Sequence, residues 1–277
     1  MEFFEIHAGR FKLDGGAMFG VVPKSMWQKL NEPDDNNMCS WAMRCLLVQE
    51  GNRLMLIDNG MGNKQGDKFF SHYFLHGNES LDQSLAQHGF RKEDVTDVFL
   101  THLHFDHCGG SIERKGDLLI PAFKNAQFWS NRKHWDWATI PNAREKASFL
   151  KENILPIQES GQLSFVEDVA EVFPNMKIEM VSGHTESMML PIFDYKGKPL
   201  IYMADLLPSA AHIPLPYVMA YDTRPLLTLD EKKRILEWCL TNEALLFFEH
   251  DKDTACGTLT ETEKGIRLLH SGSLQDF

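Results

Sequence analysis

No run of about 18 uninterrupted apolar residues occurs anywhere in this chain, so nothing in it predicts a membrane-spanning helix. Met1 to Phe11 lacks a basic start followed by a long apolar stretch, which leaves an export signal unsupported and a cytoplasmic setting expected. Cysteine is sparse. Five in 277 residues is an odd number in a chain too large to need covalent staples, and reduced thiols are expected. Positive charge is short as well: 28 Lys and Arg against 39 Asp and Glu leave a net charge of −11, with no basic block, so no nucleic-acid partner is expected. Internal repeats, low-complexity tracts and an interdomain linker are missing too, which favours a single domain over 1–277. With 43% hydrophobic residues the chain can bury a substantial core.

What is present in abundance is histidine, in one place. Within Thr101 to Gly110, His102, His104, Asp106 and His107 follow an apolar run, Val98 to Leu100, that reads as a buried strand end. Gly109 and Gly110 then supply backbone freedom for a turn. In extended backbone alternate residues point the same way, so His102 and His104 can grip one ion while Asp106 and His107 reach a neighbour. Imidazole and carboxylate suit zinc, iron, manganese or cobalt, and the lack of thiolates argues against a purely structural zinc site. Cys108 reads as small buried filler.

Around this cluster the pattern is α/β. Phe3 to Leu13 is expected as a strand, and Ala17 to Val22 as an apolar, strand-like piece stopped by Pro23. Met18 and Phe19 there, with Met26 and Trp27, are candidates to line an apolar pocket. Arg44 to Gln49 and Arg53 to Ile57 read as a hairpin, ending at Asp58 in a Gly-rich loop. His72 and His76, four apart, read as ordinary surface histidines because no acid lies between them. Ser80 and Gln83 open a helix over Leu81 to His88, and Ala143 to Leu155 has helical composition.

The second half repeats the theme of strands that end on ligands. Lys177 to Val181 leads to His184, Leu200 to Met203 leads to Asp205, and Ala244 to Phe248 leads to His250. A carboxylate at an apolar strand end is costly unless paired or metal-bound, which makes Asp205 a candidate bridge. Leu206 to Tyr221, with three prolines, is expected as an ordered loop that presents His212 and Tyr217 as polar contacts. Thr228 and Glu231 read as a capping box opening a helix through Cys239 or Leu240.

The series His102-x-His104-x-Asp106-His107, His184, Asp205, His250 resembles the ligand series of the metallo-β-lactamase superfamily. The resemblance implies a four-layer αββα sandwich with a dinuclear site at the sheet edge: His102, His104 and His184 on one divalent metal, Asp106, His107 and His250 on the other, Asp205 bridging. The ions expected are zinc, with iron, manganese or cobalt as alternatives. Asp205 counts against β-lactam hydrolysis, since those members lack a bridging Asp. Asp14 to Lys24 and Ala204 to Pro208 are similar to quorum-quenching N-acyl homoserine lactonases, and the latter stretch also to methyl-parathion-hydrolase-like enzymes. Pro208 departs from those lactonases, which place a Tyr shortly after the bridging Asp. The implied activity is opening of a lactone or related ester by a metal-bridging hydroxide, with Asp106 passing a proton to the leaving alkoxide; the alternatives are phosphotriester or phosphodiester hydrolysis and a non-catalytic metal-binding protein. The expected partner is a small molecule with an apolar chain, with no membrane, and a homodimer is the assembly left open.

Overall fold

The computed structural model describes all 277 residues. In chain order the first half runs β1 (Glu2–Asp14), α1 (Gly15–Phe19), α2 (Lys24–Trp27), β2 (Met38–Glu50), β3 (Arg53–Ile57), α3 (Asp67–Phe70), α4 (Leu81–Gln87), β4 (Asp97–Phe99), α5 (Phe105–Cys108), β5 (Ile112–Lys115), β6 (Leu118–Pro121) and β7 (Gln127–Ser130). It continues with α6 (Arg132–Thr139), α7 (Lys151–Glu159), β8 (Leu163–Phe165), β9 (Lys177–Val181), β10 (Met188–Tyr195), β11 (Lys198–Tyr202), α8 (Pro225–Thr241), β12 (Leu245–Phe247), β13 (Cys256–Thr262) and β14 (Gly265–Gly272). The residues divide into two compact units: Met1–Gly9 with Met43–His72 and Gly77–Met176, and Arg10–Ala42 with Tyr73–His76 and Lys177–Phe277.

The first unit holds most of a six-stranded sheet of order β1-β2-β3-β4-β7-β8. After the antiparallel β2–β3 hairpin, strands β3, β4, β7 and β8 run parallel. Leu47, Leu56, Val98, Phe128 and Ile157 form its core together with Phe123. Because β3 and β4 are parallel and in register, Leu56 beside Val98 and Ile57 beside Phe99, Asp58 and Thr101 emerge at the same sheet end. That end is where ligands gather in parallel sheets.

The second unit carries a sheet of order β14-β13-β12-β11-β10-β9. All its neighbours are antiparallel except β11 and β12, which pair parallel with Tyr202 opposite Phe247. Those two rings stack at 5.3 Å. The chain leaves both strands in the same direction, so Asp205 and His250 follow from neighbouring exits.

Four expectations need correction. Ala17 to Val22 is not strand-like: Asp14 accepts the Ala17 amide and caps α1, and local capping outweighs the apolar run. The helix expected over Ala143 to Leu155 begins only at Lys151, because Asn142 Oδ1 takes the Arg144 and Glu145 amides and the Ser148 carbonyl accepts from Phe105. The last long helix starts at Pro225, and Glu231 does not cap it; its carboxylate accepts the Ser182 and Gly183 amides instead. Gly109 and Gly110 have no need of positive φ. They allow close approach: a Cβ at Gly109 would lie 2.1 Å from the Met61 carbonyl oxygen and one at Gly110 2.2 Å from that of Asn59. No helix is long and apolar enough to cross a membrane.

Candidate metal centre

In the first unit the Asp58–Gly62 loop clasps the histidine segment through Asn59 N to His107 O and Gly110 N to Gly60 O, both 2.9 Å. Asp58, wholly buried, accepts the Thr101 amide at 2.8 Å and the Thr101 hydroxyl at 2.7 Å. Its Oδ2 lies 3.1 Å from His107 Nδ1; a carboxylate can only accept, so that nitrogen carries the hydrogen. The Thr101 hydroxyl, already spent on Asp58, accepts from His102 Nδ1 at 3.1 Å. Glu145 stands 3.6 Å from His104 Nε2 and is itself held by Trp137 and Asn142. Leu103, between two candidate ligands, donates its amide to His134 Nε2.

The second unit is built the same way. His184 Nδ1 lies 2.8 Å from Asp222 Oδ1, and His250 Nδ1 donates to the Ala42 carbonyl at 2.8 Å. His184 Nε2 and His250 Nε2 stand 3.1 and 3.2 Å from the two oxygens of Asp205. Burial alone would lower the pKa of His184, but Asp205 and Asp222 outweigh it and raise it to about 10. Positive charge is favoured at that point. Ala204, immediately before Asp205, sits at φ +42, a strained backbone of the kind found where geometry serves a site.

One rule runs through four of the five histidines. Each turns one ring nitrogen to a hydrogen-bond partner that fixes its orientation and the other to a further member of the candidate set: His102 to His104, His107 to Asp106, His184 and His250 to Asp205. Imidazoles oriented this way by carboxylates, hydroxyls and carbonyls are the arrangement metal ligands require.

The model of the Metallo-beta-lactamase superfamily matches residues 44–237, more than half of the sequence. The chain belongs to the metallo-β-lactamase superfamily. An N-acyl homoserine lactonase of Bacillus cereus is 23% identical over 246 residues, covering 84% of this chain and 87% of its own. Among solved structures, a probable metal-dependent hydrolase from Staphylococcus aureus superposes with a TM-score of 0.88 at 26% identity, covering 98% of this chain and 95% of that one. AidC, a dizinc quorum-quenching lactonase in complex with a product, gives 0.80 at 19% identity with the same coverage. The fold is thus the mixed α/β fold of this superfamily, and the chain is a metal-binding hydrolase.

Within this superfamily hydrolase, the candidates for an apolar pocket fare unevenly. Met18, Phe19, Trp27 and His212 are at most 1% exposed. Phe19 stacks between Trp27, at 5.3 Å and 10°, and His212, at 4.8 Å and 1°. They form a packed aromatic core. His212 does not present a polar contact: Ser209 Oγ and the Met18 carbonyl engage its two ring nitrogens, and burial pushes its pKa down to about 3. Met26 is 53% exposed, and half-buried Tyr217 sets its edge on Phe19 at 6.2 Å and 90°. Asp222 and Glu145 were not foreseen, and Glu231 was expected only as a helix cap. Asp222 and Glu145 approach histidines distant in sequence, and only burial could single them out.

Proposed function

We propose that this chain, acting as one catalytic domain over residues 1–277, hydrolyses N-acyl homoserine lactones or closely related esters with two divalent cations, most simply zinc. The observation that carries the reading is the paired use of His102, His107, His184 and His250, one nitrogen for orientation and one toward another ligand candidate. The reading assigns His102, His104 and His184 to the first cation, Asp106, His107 and His250 to the second, and Asp205 to both.

Bound cations supply a Lewis acid for the carbonyl and bring the pKa of a water near neutrality. The protein contributes the rest. Asp58, Asp222, Thr101 and the Ala42 carbonyl hold four of the imidazoles still. Asp106, mostly buried, carries the proton released by the attacking water to the ring oxygen as the acyl–oxygen bond breaks. Tyr217 and Met26, backed by the aromatic core, receive the apolar chain. The working state is cytoplasmic, and a homodimer is the assembly proposed for sizing measurements.

The test uses protein stripped by chelator and reloaded. Lactone hydrolysis should vanish on stripping and return with zinc, manganese or cobalt, with His104→Ala failing to recover. A panel of lactone, linear ester and phosphotriester assigns the class: turnover of the phosphotriester above that of the lactone would overturn the lactonase reading.

A further inference from the structure

Lys232 is wholly buried in the middle of α8. Its ammonium meets no carboxylate at ion-pair distance; it donates to the carbonyls of Pro214, Leu215 and Tyr217 at 3.1, 3.2 and 2.8 Å. Three hydrogens thus meet three acceptors, all on one turn of the Leu206–Tyr221 loop. A buried cation is expensive, and a fold that needed only packing here would use an apolar side chain. What this cation fixes is the path of a segment that lacks regular structure and contains Pro214 and Pro216. At the end of that turn Tyr217 sets its edge on Phe19, whose face stacks on His212. His212 also lies against Trp41 at 6.1 Å, and the carbonyl of the next residue, Ala42, accepts from His250 Nδ1. A line of contacts therefore joins the Lys232 ammonium to the neighbourhood of the candidate ligands, all within the second unit.

We propose that Lys232 is a positioning residue for substrate selection: by holding the three carbonyls it sets where Tyr217 stands, and thereby which acyl chains the enzyme accepts. This rests on the reading of Tyr217 as a chain contact. Burial brings the Lys232 pKa down to about 7, with Asp222 opposing. On loss of one proton only two hydrogens remain for three carbonyls, and the turn loosens. The other groups that bear on it do not confuse the readout. His212 stays neutral above about 3, Glu231 on the same helix is turned to the Ser182 and Gly183 amides, and Lys233 is exposed.

The experiment compares metal-loaded wild type, Lys232→Met and Lys232→Arg on a decanoyl-homoserine lactone and on an unsubstituted γ-butyrolactone. The ratio of the two kcat/KM values cancels the shared chemistry. Lys232→Met should lower that ratio about tenfold, carried by KM for the long chain, the scale a pocket contact commands. Lys232→Arg should recover part of it. Equal losses on both lactones, or no loss, would overturn the inference. If Lys232→Met does not fold, wild type alone decides: its ratio should fall as pH rises from 6 to 8.5, and a flat ratio overturns it. Should wild type open neither lactone, the lactonase reading fails by itself; limited proteolysis within 213–221 then decides, with faster cleavage at pH 8.5 than at pH 6 expected and unchanged cleavage overturning.

Discussion

At the scale of single residues, donors and their supports differ in how they can be read. The candidate ligands stood out because three histidines and an aspartate crowd one segment, and because His184, Asp205 and His250 each follow a strand-like apolar run. Asp222 was not. It lies 38 positions from His184 in a stretch that reads as loop, yet it is buried and holds Nδ1 at 2.8 Å. Replacement by Asn keeps the shape but removes the charge that favours a cation. Asp222→Asn should weaken metal binding about 10- to 100-fold while the chain remains folded, as measured by competition with a chromogenic chelator. Unaltered affinity would show that His184 is held by packing alone. Phe19 and Trp27 teach the converse lesson: aromatic residues near a Gly-rich turn suggested an open wall, and burial at 0% and 1% makes them its backing.

At the scale of elements, strands were read well and short helices poorly. The β2–β3 hairpin and β9, β11 and β12 follow from apolar runs between turn residues, whereas α1 depends on one capping contact at Asp14 that the apolar pattern conceals. Strands β13 and β14 were missed altogether. Residues 256–272 mix Thr, Glu, Lys and Gly, and only the hairpin register turns them into sheet. The contact between β9 and α8 turns on Gly183: a Cβ there would lie 2.3 Å from Thr228 Oγ1 and 2.5 Å from its amide. Backbone cannot yield as a side-chain tip can. Gly183→Ala should therefore cost about 1–3 kcal/mol, the usual penalty of overpacking, and displace His184 with it. Thermal denaturation and metal titration together check this; loss of stability without loss of metal affinity would separate the two roles.

For the whole molecule, the superfamily assignment accounts for the fold, and the net charge of −11 suits a neutral substrate better than a polyanion. Stability should respond to pH through His184 when metal is absent. Its pKa in the folded chain, about 10, stands above the ordinary value of 6.5. The sign follows: its contribution is complete below about pH 6.5 and is lost as pH climbs toward 10, since the unfolded chain gives up the proton first. Urea midpoints of stripped protein should fall between pH 7 and 10, and metal-loaded protein should lack this decline.

An imidazole placed between Asp205 and Asp222 also makes the resting, stripped enzyme a store of hydrogen ions that an incoming cation must evict. Loading at pH 8 should therefore acidify an unbuffered solution, so a burette alone, with no substrate in the vessel, can follow the centre as it fills.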